Sequence, residues 1–220
     1  MVTSSSEINK VIRQHFSPLL RQNGFTKVET RLNWGWDSPC TRVLIIRAVG
    51  GHFSAMTGWP SMSLGVQLGV WYEFIPQDHP RGVKINPNGK PLPQDYECQQ
   101  RHHLDIGLDQ NRYTQQLTNP AEQSRTDLWW VQPDGSNVEE VVKDIGQQFL
   151  VAGQPWFQRM TDIPTVFADV KEQHNCYDKF RKAACYAKYL GHDDEYQEYR
   201  LKLEQEVHRI GRPEYLAFCL

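Results

Sequence analysis

Ten consecutive residues, YECQQRHHLD at 96–105, hold a thiol (Cys98), a guanidinium (Arg101), two imidazoles (His102, His103) and a carboxylate (Asp105). Those groups can do metal chemistry or nucleophilic chemistry, or they can form a polar recognition edge. A zinc site needs three or four ligands converging on a tetrahedron. On a strand His102 and His103 point to opposite faces, so at most one of them joins a given site. Neither Cys-x-x-Cys nor His-Glu-x-x-His occurs, and further ligands would have to come from His52 or His79. No metal is therefore expected. A nucleophilic cysteine needs a nearby cation or imidazole to hold its thiolate. Arg101 and His103 are close to Cys98 in sequence, but proximity along the chain is not yet an activating pair, and buried free thiols are inert. The default reading is a strand with one solvent-facing polar side.

The other chemistry-bearing stretches are weaker. VGGHFSAMTG at 49–58 contains glycines but no phosphate-loop or dinucleotide fingerprint, so it reads as a flexible loop. HDDE at 192–195 places its acids at a helix start, where the helix dipole favours negative charge. No cofactor is expected. Seven tryptophans are many for this length. Trp129 and Trp130 are adjacent and face opposite ways on a strand, and Trp71 lies on the odd-numbered face of its strand. Either C-terminal helices cover that second face, or the aromatics form a binding surface of the kind that aromatic and Arg side chains dominate.

The elements that must position these groups follow from periodicity. The clearest is 61–74, SMSLGVQLGVWYEF, where every even position from Met62 to Phe74 is apolar. Period two means a strand with one core face, and Gly65 and Gly69 mark a bend or a close backbone approach. KVETRLNW reads as one strand with Val28, Thr30, Leu32 and Trp34 on one face, and TRVLIIRAV as a strand buried on both faces. HHLDIGL places Leu104, Ile106 and Leu108 opposite His103, Asp105 and Gly107, and DLWWVQ is a short aromatic strand. Before the strands, Ser4 and Glu7 have capping-box spacing ahead of an apolar helical stripe, and Pro18 kinks that helix or starts a second. After them come helices at 138–149, 164–173, 176–190 and 192–210. AGQP ends the first of these, and Gly191 joins the last two into an antiparallel hairpin. Residues 76–93 carry five prolines and two glycines and form a long loop of the binding or lid type. The order predicts an α+β fold: an antiparallel sheet of about five strands with helices on one face. The division expected is an α+β domain over 1–165 and a helical extension over 166–220 packed on it.

With 220 residues and 39% apolar composition the chain can bury a core without staples. A net charge of −2 gives no reason to expect nucleic acid or an anionic membrane as partner. Five irregularly spaced cysteines read as free thiols of a reducing compartment. With no apolar leader core or membrane-length run, the expected location is cytoplasmic.

Several stretches together, LLRQNGF, SLGVQLGVWY, ECQQR after the Pro-rich loop, and LWWV before a helix ending PWFQRM, resemble a bacterial family, the domain of unknown function 4304. The resemblance covers roughly residues 8–165. It implies the same fold and no named chemistry, and associates the chain with accessory or immunity-type proteins. The family's Cys-x-x-Arg element falls on Cys98 and Arg101, and its paired tryptophans on Trp129 and Trp130. The function expected is non-catalytic binding of another protein, in an unspecified oligomeric state. The binding residues are Cys98, Arg101, His103, Asp105, Trp71 and Trp130, with the Pro-rich loop near Lys84. The alternative is a ligand-binding or hydrolase-like enzyme whose polar cleft joins Cys98, Arg101 and His103.

Overall fold

The computed structural model describes residues 4–76 and 82–212. His79 and Cys219 lie outside them. The chain opens with α1 (Ser5–His15) and α2 (Ser17–Gln22), then enters the sheet through β1 (Lys27–Glu29), β2 (Leu32–Asp37) and β3 (Cys40–Ala48). Helix α3 (Gly50–Thr57) precedes β4 (Leu64–Tyr72). A single 3-10 turn (Asp95–Glu97) leads into β5 (Gln100–His103), and short α4 (Asn111–Thr114) and α5 (Pro120–Gln123) precede β6 (Leu128–Trp129). The rest is helical: α6 (Val138–Gln148), a π-helical turn (Phe149–Gly153), α7 (Gln154–Thr161), α8 (Ile163–Glu172), α9 (Tyr177–Leu190) and α10 (Asp193–Ile210).

The sheet is antiparallel throughout, in the order β1-β2-β3-β4-β5, with β6 pairing the remaining stretch of β4. The even-numbered side chains of β4 (Leu64, Val66, Leu68, Val70 and Tyr72) are completely buried. They meet one continuous apolar cluster that includes Ile8 and Ile12 of α1, Val141 and Ile145 of α6, and Tyr186 and Ala187 of α9. Each buried Val or Leu contributes about 1.5–3 kcal/mol at most. This burial holds β4 at the centre of the sheet with the helices on its even-numbered face.

Local chemistry sets the joins. Ser4 and Glu7 form the capping box of α1, and Pro18 sits in the first turn of α2, where a missing N–H costs nothing. Gly24, at φ +82°, donates to the carbonyl of Arg21 while Phe25 donates to that of Leu20, a Schellman end. Gly191, at φ +71°, closes α9 so that α10 folds back along it.

Four expectations fail locally. KVETRLNW is not one strand: Thr30, at φ +63°, turns the chain so that β1 and β2 form a hairpin. The 49–58 stretch is a helix with no buried residues, not a loop. The fifth strand covers 100–103 and stops before Leu104. AGQP does not end α6: the π-helical turn carries the chain on into α7, with Pro155 in its first turn, where no N–H is needed. Gly153 lets this turn lie against the sheet; a Cβ there would stand 3.2 Å from Leu104 and 3.4 Å from Leu68.

Candidate functional site

The odd-numbered face of the sheet is where the singled-out residues gather. Directly opposed residues of antiparallel strands share a face. The register therefore sets Trp34 beside Val43 and Gly69, Trp36 beside Thr41 and Trp71, and Arg101 and His103 opposite Gly69 and Gln67. The C-terminal helices do not cover this face. Residues 91–98, the end of the Pro-rich segment and the turn after it, cross it as a strap.

The strap is held by named contacts. Trp34 Nε1 donates to the carbonyl of Pro93 at 2.9 Å, and Trp36 Nε1 donates to that of Pro91 at 2.8 Å. Proline carbonyls suit this role, because the residue lacks a donor of its own and still accepts. Leu92 packs with Trp34, Val43, Ile45 and Cys98 in a second, smaller apolar cluster, to which Leu32, Trp36 and Trp71 add their half-buried surfaces. Arg47 pairs with Asp95. Gln94 N–H donates to Glu97 Oε2 at 2.6 Å, which fixes the 3-10 turn. Upstream, Leu92 N–H donates to Lys84 O at 2.7 Å and Asn86 N–H to Lys90 O at 2.9 Å, forming a small hairpin that carries exposed Ile85.

Gly69 explains how the strap comes so close. A Cβ there would stand 2.6 Å from Cys98 Sγ, so only glycine leaves room for the thiol. Cys98 is 6% exposed and donates to Gln94 O at 3.3 Å. Burial pushes its thiol well above the usual range, Asp95 and Glu97 push it further, and Arg101 only partly opposes them. A thiolate is disfavoured here, the reverse of what a nucleophile needs.

Between the β1–β2 hairpin and the strap lies a cleft of about 580 Å³. Trp34, Leu32 and Leu92 give it apolar walls, and Lys27, Lys84, Tyr96 and Glu97 its polar rim. Lys27 pairs with Glu29 and its ammonium lies 5.7 Å from the centre of the Trp34 ring. Tyr96 is 61% and Ile85 55% exposed, large apolar surfaces beside the cleft and on the hairpin.

Of the residues read from sequence, Cys98, Arg101, His103 and Trp71 share this face. Arg101 and His103 are exposed. Trp71, read as a binding aromatic, is half-buried against the second cluster, its Nε1 enclosed with no hydrogen-bond partner among the described residues, as is Oγ1 of Thr41 opposite. Asp105 lies just past the end of β5 and accepts from Thr126 Oγ1 at 2.7 Å. Trp130 is elsewhere: it is buried in a third cluster, 5.3 Å from Trp59 and stacked at 5.9 Å on Tyr113. Residues missed were Trp34, Trp36 and Tyr96. The period-two pair in LNWGWD was a legible signal for the first two, since both tryptophans had to share one face. Among the described residues, no group of three or more His, Cys, Asp or Glu side chains is placed to hold a metal, and no helix is long and apolar enough to cross a membrane.

These features define an α+β protein whose antiparallel sheet carries helices on one face and a strapped, aromatic, partly charged surface on the other. The chain belongs to the family described as a domain of unknown function (DUF4304), whose model matches residues 16–159, from the end of α1 into α7. No curated protein and no solved structure matches the chain significantly.

Proposed function

We propose that the protein acts by binding another protein, without catalysing a reaction, through the strapped face of its sheet. The observation that carries this reading is the pairing of exposed Tyr96 and Ile85 with a cleft whose wall is Trp34, beside the cation Lys84. Exposed aromatic anchors beside a partly enclosed site have the composition of binding hot spots, and Arg101 stands on the same face at the far, β5 edge of the sheet. Cys98 is buried beneath the strap, so in this reading it supports the surface rather than touches the partner, and Trp130, buried in the third cluster, takes no part in it. An accessory or immunity-type role agrees with such a surface.

A photo-crosslinking amino acid placed at Tyr96, with Leu201 on α10 as control, tests the proposal in the native host. A defined adduct from position 96 that is absent from position 201 supports it. Equal adducts from both positions, or none from 96, reject it.

A second reading has its own support. The cleft volume of about 580 Å³ is within the ~300–1,000 Å³ range of small-molecule sites. A ligand there would meet Trp34 and Lys84. A hydrolase-like version draws no support from Cys98, because burial, Asp95 and Glu97 all disfavour its thiolate. Saturable binding of a small molecule that is lost in Trp34→Phe or Lys84→Ala would favour this reading over the first.

A further inference from the structure

We infer that β5 is an open edge that pairs, backbone to backbone, with an extended acidic segment of a partner protein. This rests on the protein-binding reading above and names the mode and chemistry of the contact.

The phase of the ladder shows which groups are free. Leu104 N–H donates to Val66 O at 3.1 Å, and Leu104 opposes Val66 in the register that pairs His102 with Leu68 and Gln100 with Val70. In an antiparallel strand the backbone groups of alternate residues turn to alternate sides. Those of 100, 102 and 104 face β4, so those of 99, 101 and 103 face away from it. The Gln99 carbonyl is taken by Lys182 Nζ of α9 at 3.3 Å. The amides and carbonyls of Arg101 and His103 have no hydrogen-bond partner among the described residues. Both residues are exposed, so the edge is open to an incoming strand.

The side chains select the partner. Arg101 and His103 project on the strapped face, while His102 turns to the other side and stacks 5.6 Å from Trp156. Gln100, Arg101, His102 and His103 include no acid. The nearby acids of the strap are already engaged: Asp95 with Arg47, and Glu97 with the Gln94 amide. Like charges directly opposite one another are unfavourable, so Arg101 disfavours a basic strand and admits an acidic one. A charged edge also guards against self-association, and that protective role alone is the outcome the experiment must separate.

The probe is a fluorescent ten-residue peptide alternating Glu with Val, compared with its Lys–Val counterpart by fluorescence polarisation. The Glu peptide is expected to bind at least tenfold more tightly. His103→Pro removes one outward N–H and places a ring across the edge, yet leaves the β4 ladder intact because that N–H does not face β4. It is expected to weaken the Glu peptide at least tenfold. Should this variant misfold, Arg101→Glu combined with His103→Glu still tests the idea, because it should invert the preference toward the Lys peptide. Equal binding of the two peptides, no loss in a folded His103→Pro, no inversion by the double variant, or no binding up to about 1 mM would leave a protective edge only and overturn the inference. If the position-96 adduct persists in His103→Pro while the peptide results fail, the edge proposal falls and the protein-binding reading stands.

Discussion

Replacing Gly69 with alanine puts the strap's attachment to the test. The new methyl would stand 2.6 Å from Cys98 Sγ and 2.9 Å from Cys98 Cβ, inside the 3.0 Å that real Cβ atoms do not enter. Neither contact is the far end of a long side chain, so something other than a rotamer must move. At this position β4 is paired with β3 on one side and β5 on the other, which makes the strap the softer partner. Overpacking of this kind costs about 1–3 kcal/mol. Cys98→Ala removes the sulfur that makes the closest contact, at a cost of about 1–2 kcal/mol for its lost packing. In the double variant the worst overlap is gone, so the combined cost should be at least about 1 kcal/mol below the sum of the single costs. Urea unfolding at constant m measures these values, and amide exchange over 92–98 should speed up in Gly69→Ala and recover in the double variant. Single costs that add to within about 0.5 kcal/mol, or a strap whose exchange ignores Gly69→Ala, would refute the close approach on which the argument depends.

Other consequences are as direct. Trp34→Phe leaves the Pro93 carbonyl without its indole donor at a buried site and should cost about 1–3 kcal/mol, with Trp36→Phe costing less because that side chain is only half-buried; thermal unfolding ranks them, and the opposite order would contradict the geometry. Tyr72 donates from its hydroxyl to Met160 O at 2.6 Å, tying the end of β4 to α7, so Tyr72→Phe should lower stability by about 1–3 kcal/mol at unchanged m; a neutral result in urea would remove that tie from the account. Burial, then Asp37 and Glu73, pushes the Cys40 thiol up to about 12 against the pull of Arg42. Iodoacetamide at pH 8 should thus label exposed Cys176 first and reach Cys40 and Cys98 only in urea. Because the folded state holds the Cys40 proton more tightly, its contribution to stability is complete below the ordinary 9.0 and disappears as pH rises from there to about 12. Cys40→Ala should flatten that alkaline decline, and an unchanged slope would count against the burial argument.

The parts of the fold that were legible in sequence are those where one periodicity governs a whole element. β4 announced itself because seven alternate positions are apolar, and the two C-terminal helices because their stripes are long and Gly191 separates them. The β1–β2 hairpin was hidden because its turn uses Thr30 in a left-handed conformation, with none of the Asn-Gly or Asp-Gly chemistry that usually marks one. Helix α3 was hidden because it buries no residue and so has no stripe to read. The site was half legible. Arg101, His103 and Cys98 were singled out because their types are distinctive. Trp34, Trp36 and the strap were missed because a proline-rich segment has no period of its own, and what places it is a pair of indole donors on distant strands.

The two faces of the sheet differ in how they are held, and that difference is why the proposed binding surface is assigned to the strapped face. On the even-numbered face, helices bury the side chains of β4 completely, and opening it would expose the main core. The strap on the odd-numbered face is held by two indole bonds, one ion pair, Leu92 and the inserted thiol of Cys98. Segments with few buried apolar contacts open at lower free energy than the core, so the strap can adjust to a partner while β4 stays fixed beneath it. The glycine at 69 sets the spacing: it lets the strap reach the sheet closely enough to seat the Cys98 thiol, where any side chain would push the strap away. A partner that grips Tyr96 would therefore slow amide exchange across 92–98 and leave β4 unchanged, whereas a ligand acting through the helical face would do the reverse.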